Sequence, residues 1–311
     1  MLNLQPVRSQ TDFPLSRLTS SPAQLNPAST GLFGDLFRVH SYFKSQMHQS
    51  LEGGIKGVGA AVDYNLFDWK MGVGLMVYSN SVDRSALRDF NLLVSYGYRV
   101  ELNRWSLLSF GLQTGLKQVG FSLESLSFGS QYDPAYKGGF DPSKMPSYSI
   151  PTNINNFDVS VGGYWQGYLG PFFALNVGAA AFHLSPMKTD FLTDETHLRP
   201  KYVLSVNARY ETYYLHWIPS AMFVTQSDRS YVETGMVAQF RQTDKFVNAG
   251  VYFRTPNVMV PTVGIGFDKL SVNLSIEYYL KNNFSNIFNI GISYFPQTNQ
   301  KASLIQDYID I

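Results

Sequence analysis

The chain has 311 residues, a formal net charge of +1 and no cysteine. Near-neutrality removes the electrostatic footprint of a nucleic-acid binder, and the missing thiols exclude disulfides and thiolate metal sites. Charged residues make up 15%, against about 25% in ordinary soluble domains, while aromatics also reach 15%. No window approaches the roughly 20 apolar residues of a spanning helix.

The N-terminus, MLNLQPVRSQTDF, lacks the basic start and apolar core of a signal peptide, which points to a leader removed or absent from this chain. Next comes SPAQLNPASTG, Ser21 to Gly31, with two prolines and a glycine around one leucine. It suits neither a helix of normal length nor a central strand.

Beyond it, apolar and polar residues alternate almost without interruption. FNLLVSYGYRV sets Phe90, Leu92, Val94, Tyr96 and Tyr98 against Asn91, Ser95, Gly97 and Arg99. LSFGLQTGLK, KYVLSVNARYE and LSVNLSIEYYL alternate in the same way. Fourteen such segments fall near 35–45, 55–65, 69–79, 88–99, 106–117, 156–166, 172–182, 201–211, 216–225, 230–240, 246–254, 260–268, 269–279 and 287–296. A period of two means strands with one apolar and one polar face. A soluble sandwich would turn the apolar face inward; a membrane barrel turns it to lipid.

Three patterns favour the barrel. The turns NLFD, ELNR, GYLG, ETYY, QTDK and FDKL are short, and most connections between them are longer, with extremes at 117–156 and 183–200. Aromatics stand at strand ends: Tyr64, Trp69, Tyr78, Tyr98, Trp105, Trp165, Trp217, Tyr278 and Tyr294. Glycines, among them Gly57, Gly59, Gly72, Gly74, Gly111, Gly115, Gly162, Gly235, Gly264 and Gly266, share the polar phase, where they leave room beside an inner wall. The expectation is an all-β, transmembrane antiparallel barrel of about fourteen strands with both termini periplasmic. Its parts are a periplasmic segment over 1–34, the barrel over 35–296 and a periplasmic tail over 297–311. Pro219 and Pro261 are read as strand starts or bulges.

Catalytic and metal signatures are missing. The five histidines, His40, His48, His183, His197 and His216, have no HExxH-type spacing. GVGAAV lacks the third glycine and following helix of a dinucleotide fingerprint, and no GxSxG or P-loop occurs. The reading therefore assigns no catalytic residue, cofactor or metal. Polar-phase charges of both signs (Asp63, Asp158, Glu211, Glu233, Asp268 and Glu277 with Arg38, Arg99, Lys117, Arg209 and Arg254) are expected to pair inside the lumen; the alternative is a polar path. Past Phe295, Leu304, Ile305, Tyr308 and Ile309 have the spacing of a short amphipathic helix, either a docking peptide for a periplasmic partner or a disordered tail.

These landmarks bring a family into view. SPAQLNPASTG resembles the opening of the PorP/SprF outer-membrane proteins of the type IX secretion and gliding system of Bacteroidota. YNLFDWKMGVGLMVYSNSV, LLVSYGYRVELNRWSLLSFGLQTGLKQVGFSLESLSFGSQ, FDVSVGGYW, LRPKYVLSVNARY and IPSAMFVTQ continue the likeness in order, from about Leu18 to Phe295. Glu124 and Gly129 replace a Trp and an Asp of the family pattern, and the tail after Phe295 is long for it. The resemblance implies a non-enzymatic barrel in the outer-membrane bilayer. It would support secretion and surface attachment of adhesins carrying a type IX C-terminal domain, and link the membrane to periplasmic ring and lipoprotein components. A transporter for small hydrophobic molecules is the other function that a barrel of this size serves. Under either reading, Gln24, Leu25, Asn26 and Pro27 are expected to fold into the periplasmic mouth as a plug, with a lid that only caps the rim as the alternative.

Overall fold

The computed structural model describes residues 21–48, 51–82, 87–121, 129–135, 139, 141, 143–144, 153–188, 197–242, 245–267, 269–280 and 286–295. Trp69, Asp268 and the tail residues Leu304, Ile305, Tyr308 and Ile309 are named above but lie outside what is described, for Trp69 as regards its side chain.

A helical turn, α1 (Pro22–Leu25), and a 3-10 turn (Pro27–Ser29) precede the strands. The strands are β1 (Phe37–His48), β2 (Leu51–Leu66), β3 (Met71–Val82), β4 (Leu87–Asn103), β5 (Ser106–Phe121), β6 (Asn153–Tyr168) and β7 (Phe173–Phe182). A two-residue pair follows, β8 (Met187–Lys188) and β9 (His197–Leu198). The rest are β10 (Lys201–Glu211), β11 (Leu215–Gln226), β12 (Arg229–Gln242), β13 (Lys245–Arg254), β14 (Val258–Phe267), β15 (Leu270–Tyr279) and β16 (Ile287–Tyr294). All but β8 and β9 form one closed antiparallel barrel, with β10 beside β7 and β16 sealing against β1. Closure leaves no edge strand and pairs the backbone within the wall, as a hydrocarbon surround requires.

The alternation sorts side chains as a bilayer demands. On β4 exposure alternates along the strand: Val94 (55%), Tyr96 and Tyr98 face out, while Asn91, Ser95 and Arg99 are buried inside. The same inversion puts Val58, Leu75, Leu116, Leu204, Val263 and Ile290 on the outside. Buried inside are Asp63, Gln113, Asp158, Glu233, Asn248, Glu277 and Asn289.

Two features differ from expectation. The connections 49–50, 227–228 and 255–257, at the end carrying the long loops, are as short as the turns opposite. The asymmetry rests on 122–152, 183–200 and 280–286. The strands run on because polar stretches such as Ser79–Ser81 keep pairing, here with Phe90–Arg88, beyond the apolar belt. Pro219 and Pro261 lie inside β11 and β14 and shift no register. Instead each interrupts one ladder locally. Pairing passes from Asn207–Ser220 to Tyr210–Trp217, and from Met259–Tyr278 to Thr262–Ser275, with the register unchanged. A proline has no N–H to give to that neighbour, so a gap is the least disruptive solution.

Most of the strand-end aromatics named above stand at the end with the uniformly short turns, here called the turn end. Tyr64, Tyr98, Trp105, Trp217 and Tyr294 are exposed there. Tyr78 and Tyr278 lie towards the other end, and Tyr78 points inward and packs with Ala61, Met76 and Leu93.

Replacing Val94 by arginine sets a charge on the lipid face of β4. The expected cost is about 2–4 kcal/mol if the residue sits near mid-bilayer, measured by denaturant equilibrium in phospholipid vesicles; an unchanged stability would place β4 outside the lipid belt.

Candidate functional site: a segment lying in the lumen

Chain direction brings the N-terminal segment inside. Before β1 the chain runs back from the turn end into the barrel, where Ala28, Thr30, Leu32 and Phe33 are buried, Phe33 fully at 0% exposure. Burying Phe33 and Leu32 contributes about 1.5–3 kcal/mol each.

The path follows one row of directly paired residues on the wall. Asn65 of β2 pairs with Gly72 of β3, Gly72 with Gly97 of β4, Gly97 with Gly111 of β5, Gly111 with Gly162 of β6, and Gly162 with Ala180 of β7. Five ladders at about 4.8 Å each span about 24 Å. The segment spends Phe33 back to Leu25 on this path. A Cβ on Gly72 would collide with Thr30 and Gly31, one on Gly111 with Pro27 and Ala28, and one on Gly162 with the Asn26 carboxamide. A Cβ on Gly97 would sit 2.5 Å from the Thr30 carbonyl oxygen. Gly31 itself has φ +67°, a left-handed conformation that permits this close approach.

Polar contacts hold the segment in register. The Asn26 amide donates to the carbonyls of Gly163 (3.0 Å) and Ala179 (3.4 Å), and its Oδ1 accepts the Ala28 N–H (2.9 Å). Pro27 opens the 3-10 turn, for which its fixed φ is suited. Ser109 Oγ donates to the Ala28 carbonyl at 2.7 Å. Leu25 packs on an inward apolar patch of Ala180, Phe182, Val203, Met222 and Val224. Gln24 donates to the Tyr42 hydroxyl of β1 (3.0 Å). Since β1 lies six ladders from β7 around the wall, α1 bridges the lumen.

At the other end of the row is an ionic anchor. Arg38 of β1 grips Asp63 of β2 through two nitrogens, at 3.1 and 2.6 Å. Asp63 also accepts the Gly31 N–H at 3.1 Å. Asn65 donates to the Phe33 carbonyl (2.7 Å), and Arg99 donates to Asn65 and to the Gly31 carbonyl. Charge-assisted bonds of this kind are about twice as strong as neutral ones.

Other lumen charges among the described residues pair as well. Arg254 lies between Glu233 and Glu277, both at 2.7 Å, and Lys44 approaches Glu277 at 3.7 Å. Asp158 meets His183 at 2.9 Å, Arg209 meets Glu211 at 2.7 Å, and Lys117 meets Asp89 at 4.0 Å. Among the described residues no cluster of His, Cys, Asp or Glu has metal-binding geometry.

Sequence reasoning singled out Gln24, Leu25, Asn26 and Pro27, and all four lie inside the barrel. It missed the anchor of Asp63, Asn65, Arg38 and Arg99 as a unit, and the pairing of the glycines into a row. Glycines in the polar phase of β3 to β6 were the available signal, but register is needed to align them.

Outside the barrel wall, Asp133 in the long connection is held below the usual carboxylate range, first by a hydrogen bond from Lys144 Nζ and then by the Ala135 N–H. Asp141 is lowered by the Ser143 hydroxyl and N–H. Depressed carboxylates support local structure above the ordinary aspartate pKa and lose it as pH falls through their own. Protection factors for amide exchange across 129–144 should therefore fall only below about pH 4; a fall near neutrality would show that these contacts do not order the loop.

Asn26→Leu removes both amide donors to the wall. Loss of such buried bonds costs about 1–3 kcal/mol, so amide exchange at Gly31 should speed about tenfold or more while the wall ladders keep their protection. Equal exchange in the variant would show that Asn26 does not hold the segment.

No curated protein matches the chain. Among solved structures, the CymD monoaromatic hydrocarbon channel is similar in fold, with a TM-score of 0.54 and 11% identity over 89% of this chain and 93% of that one. The Pseudomonas putida toluene transporter TodX gives a TM-score of 0.56 and 13% identity over the same shares, 89% and 93%. Both likenesses show the closed β-barrel fold. Residues 7–294 match the family described as type IX secretion system membrane protein PorP/SprF, so this outer-membrane barrel belongs to that family.

Proposed function

We propose that the protein is a non-enzymatic scaffold of type IX secretion, which supports export and surface attachment of cargo adhesins and connects the outer membrane to periplasmic ring and lipoprotein components. The family match over nearly the whole chain carries this reading. The turn end faces the periplasm, and 122–152 and 183–200 face the medium as the cargo surface. One observation supports that orientation: the uniformly short turns share one end, and the long connections the other. Residues 1–34 then form a periplasmic segment whose Gln24 to Pro27 portion plugs the lumen, and 297–311 a periplasmic tail. The bridge from Leu25 on the β7–β12 side to Tyr42 on β1 supports plugging over capping.

Purification in gentle detergent should bring down a large surface protein and periplasmic machinery, and deletion of the gene should strip the adhesin from the cell surface. Recovery of the barrel alone, with surface adhesin unchanged, would overturn the scaffold. Protease added to intact cells should cut within 122–152 or 183–200; cleavage only after outer-membrane rupture would reverse the orientation. Deleting Ser21 to Gly31 should raise ion conductance in planar bilayers, and an unchanged closed barrel would argue against plugging.

A second reading, transport of small hydrophobic molecules, has one observation in its favour. Ile218, Val237, Tyr252, Val258 and Val260 form an inward apolar cluster with Tyr279, on wall strands away from the glycine row. The fold resembles barrels whose names describe hydrocarbon channels. Uptake of a monoaromatic hydrocarbon by vesicles holding the intact protein would favour it over the scaffold.

A further inference from the structure

We infer that the inner wall from β2 to β12 is a built peptide-binding groove, and that Leu25 to Phe33 is its ligand in cis, held without being part of the wall.

The groove is complete without the segment. Each strand from β2 to β7 is paired to its neighbours by its own ladders, and the row from Asn65 to Ala180 is set by those ladders alone. The segment adds no strand to the sheet. It lies across the strands, touching the wall through scattered contacts, as a peptide lies on a receptor. Glycines give the groove its depth: Gly72, Gly97, Gly111 and Gly162 would each collide with the segment if they carried a Cβ. Elsewhere on the wall, glycines accommodate the barrel's own inward rings, with Tyr42 over Gly59, Tyr252 over Gly235 and Phe246 over Gly266. Along this row their space is taken by the segment, through its backbone over Gly72, Gly97 and Gly111 and through the Asn26 and Pro27 side chains over Gly162.

The groove also reads sequence. The apolar patch on β7, β10 and β11 takes one large aliphatic side chain, Leu25. The carbonyls of Gly163 and Ala179 require a side-chain amide at the next position, which aspartate or leucine cannot supply. The glycine floor then admits only small residues, here Pro27, Ala28 and Ser29, with the Ser109 hydroxyl bonded to the Ala28 carbonyl. Asp63 and Arg99 take the N–H and carbonyl of a residue able to reach φ +67°, which is Gly31. The ligand class is therefore a neutral peptide of the form aliphatic–Asn–Pro–small–small–Thr–Gly, bound with a 3-10 turn over its Pro–small–small stretch. Any chain presenting that stretch would compete for the same floor, whether a second copy of this protein or another polypeptide.

The test uses the full chain. A protease site inserted between Gly34 and Asp35 is cut after folding, and the barrel is followed in detergent by its heat-modifiable migration. The cut segment should stay bound through size exclusion, then exchange saturably with a labelled synthetic peptide of residues 21–34. The Asn26→Leu peptide should bind at least about tenfold more weakly, and Gly111→Leu in the barrel should abolish exchange. If the inserted site prevents folding, the uncut Asn26→Leu chain serves instead: its weakened cis ligand should let the native labelled peptide bind where the unaltered chain excludes it. An intact barrel that never takes up the peptide, or that takes up a scrambled peptide equally, overturns the groove. Binding is read on purified protein, so its outcome is separate from that of the secretion reading, which is read on cells.

Discussion

Everything in this molecule follows from the backbone having no hydrogen-bonding partner in lipid. A strand in hydrocarbon must give its N–H and C=O groups to other strands, and only a closed ladder leaves none over. The seam between β16 and β1 is thus as much a requirement as any ladder within the sheet. Closure in turn inverts the usual polarity, because the outer face must be apolar. What a soluble protein hides, such as Val58 and Leu116, is displayed here, and what it displays, such as Glu277, is hidden. Closure also creates an interior that the wall alone does not fill. Glycines make room in it, and a neutral stretch of chain together with flat aromatic rings occupies that room.

Hidden charge sets the second condition. A carboxylate such as Glu277, at 0% exposure, is tolerable only with cations beside it, and Arg254 and Lys44 supply them from strands two positions away on either side. Arg254 in turn is shared with Glu233, so the group ties β12, β13, β15 and β1 into one electrostatic unit across the seam. Asp63 serves the same purpose on β2, with the difference that one of its bonds goes to the Gly31 backbone. Mixed charge in a barrel interior here stiffens the wall and fixes what lies against it.

The fold was legible because alternation is a local property: each strand announces itself, and all fourteen appear in order. Strand ends were less legible, since polar residues such as Asn80 and Ser81 look like loop yet still find partners. The prolines misled because a barrel ladder can drop two pairings without a bulge, as at Pro219, when the remaining register is pinned on both sides. Of the site, the irregular Pro-bearing stretch and the polar-phase glycines were both visible, but not their relation. Gly72, Gly97, Gly111 and Gly162 stand at unequal intervals along the chain, and only pairing converts those intervals into a line. The anchor shared that fate. Arg99 and Asp63 read as two more lumen charges until the path of Gly31 placed them at the same spot.

The hydrogen-bonded floor of the segment belongs to β2 through β7, the first half of the wall in chain order. The segment is also joined directly to β1. Its docking surface is completed on the far side by the apolar patch that β7, β10 and β11 offer to Leu25. A chain lying across five ladders is bonded to the wall at both ends of the row, at Asp63 and at Gly163. The stretch that occupies the lumen is thus also a brace, tying strands that are distant neighbours in the cylinder directly to one another.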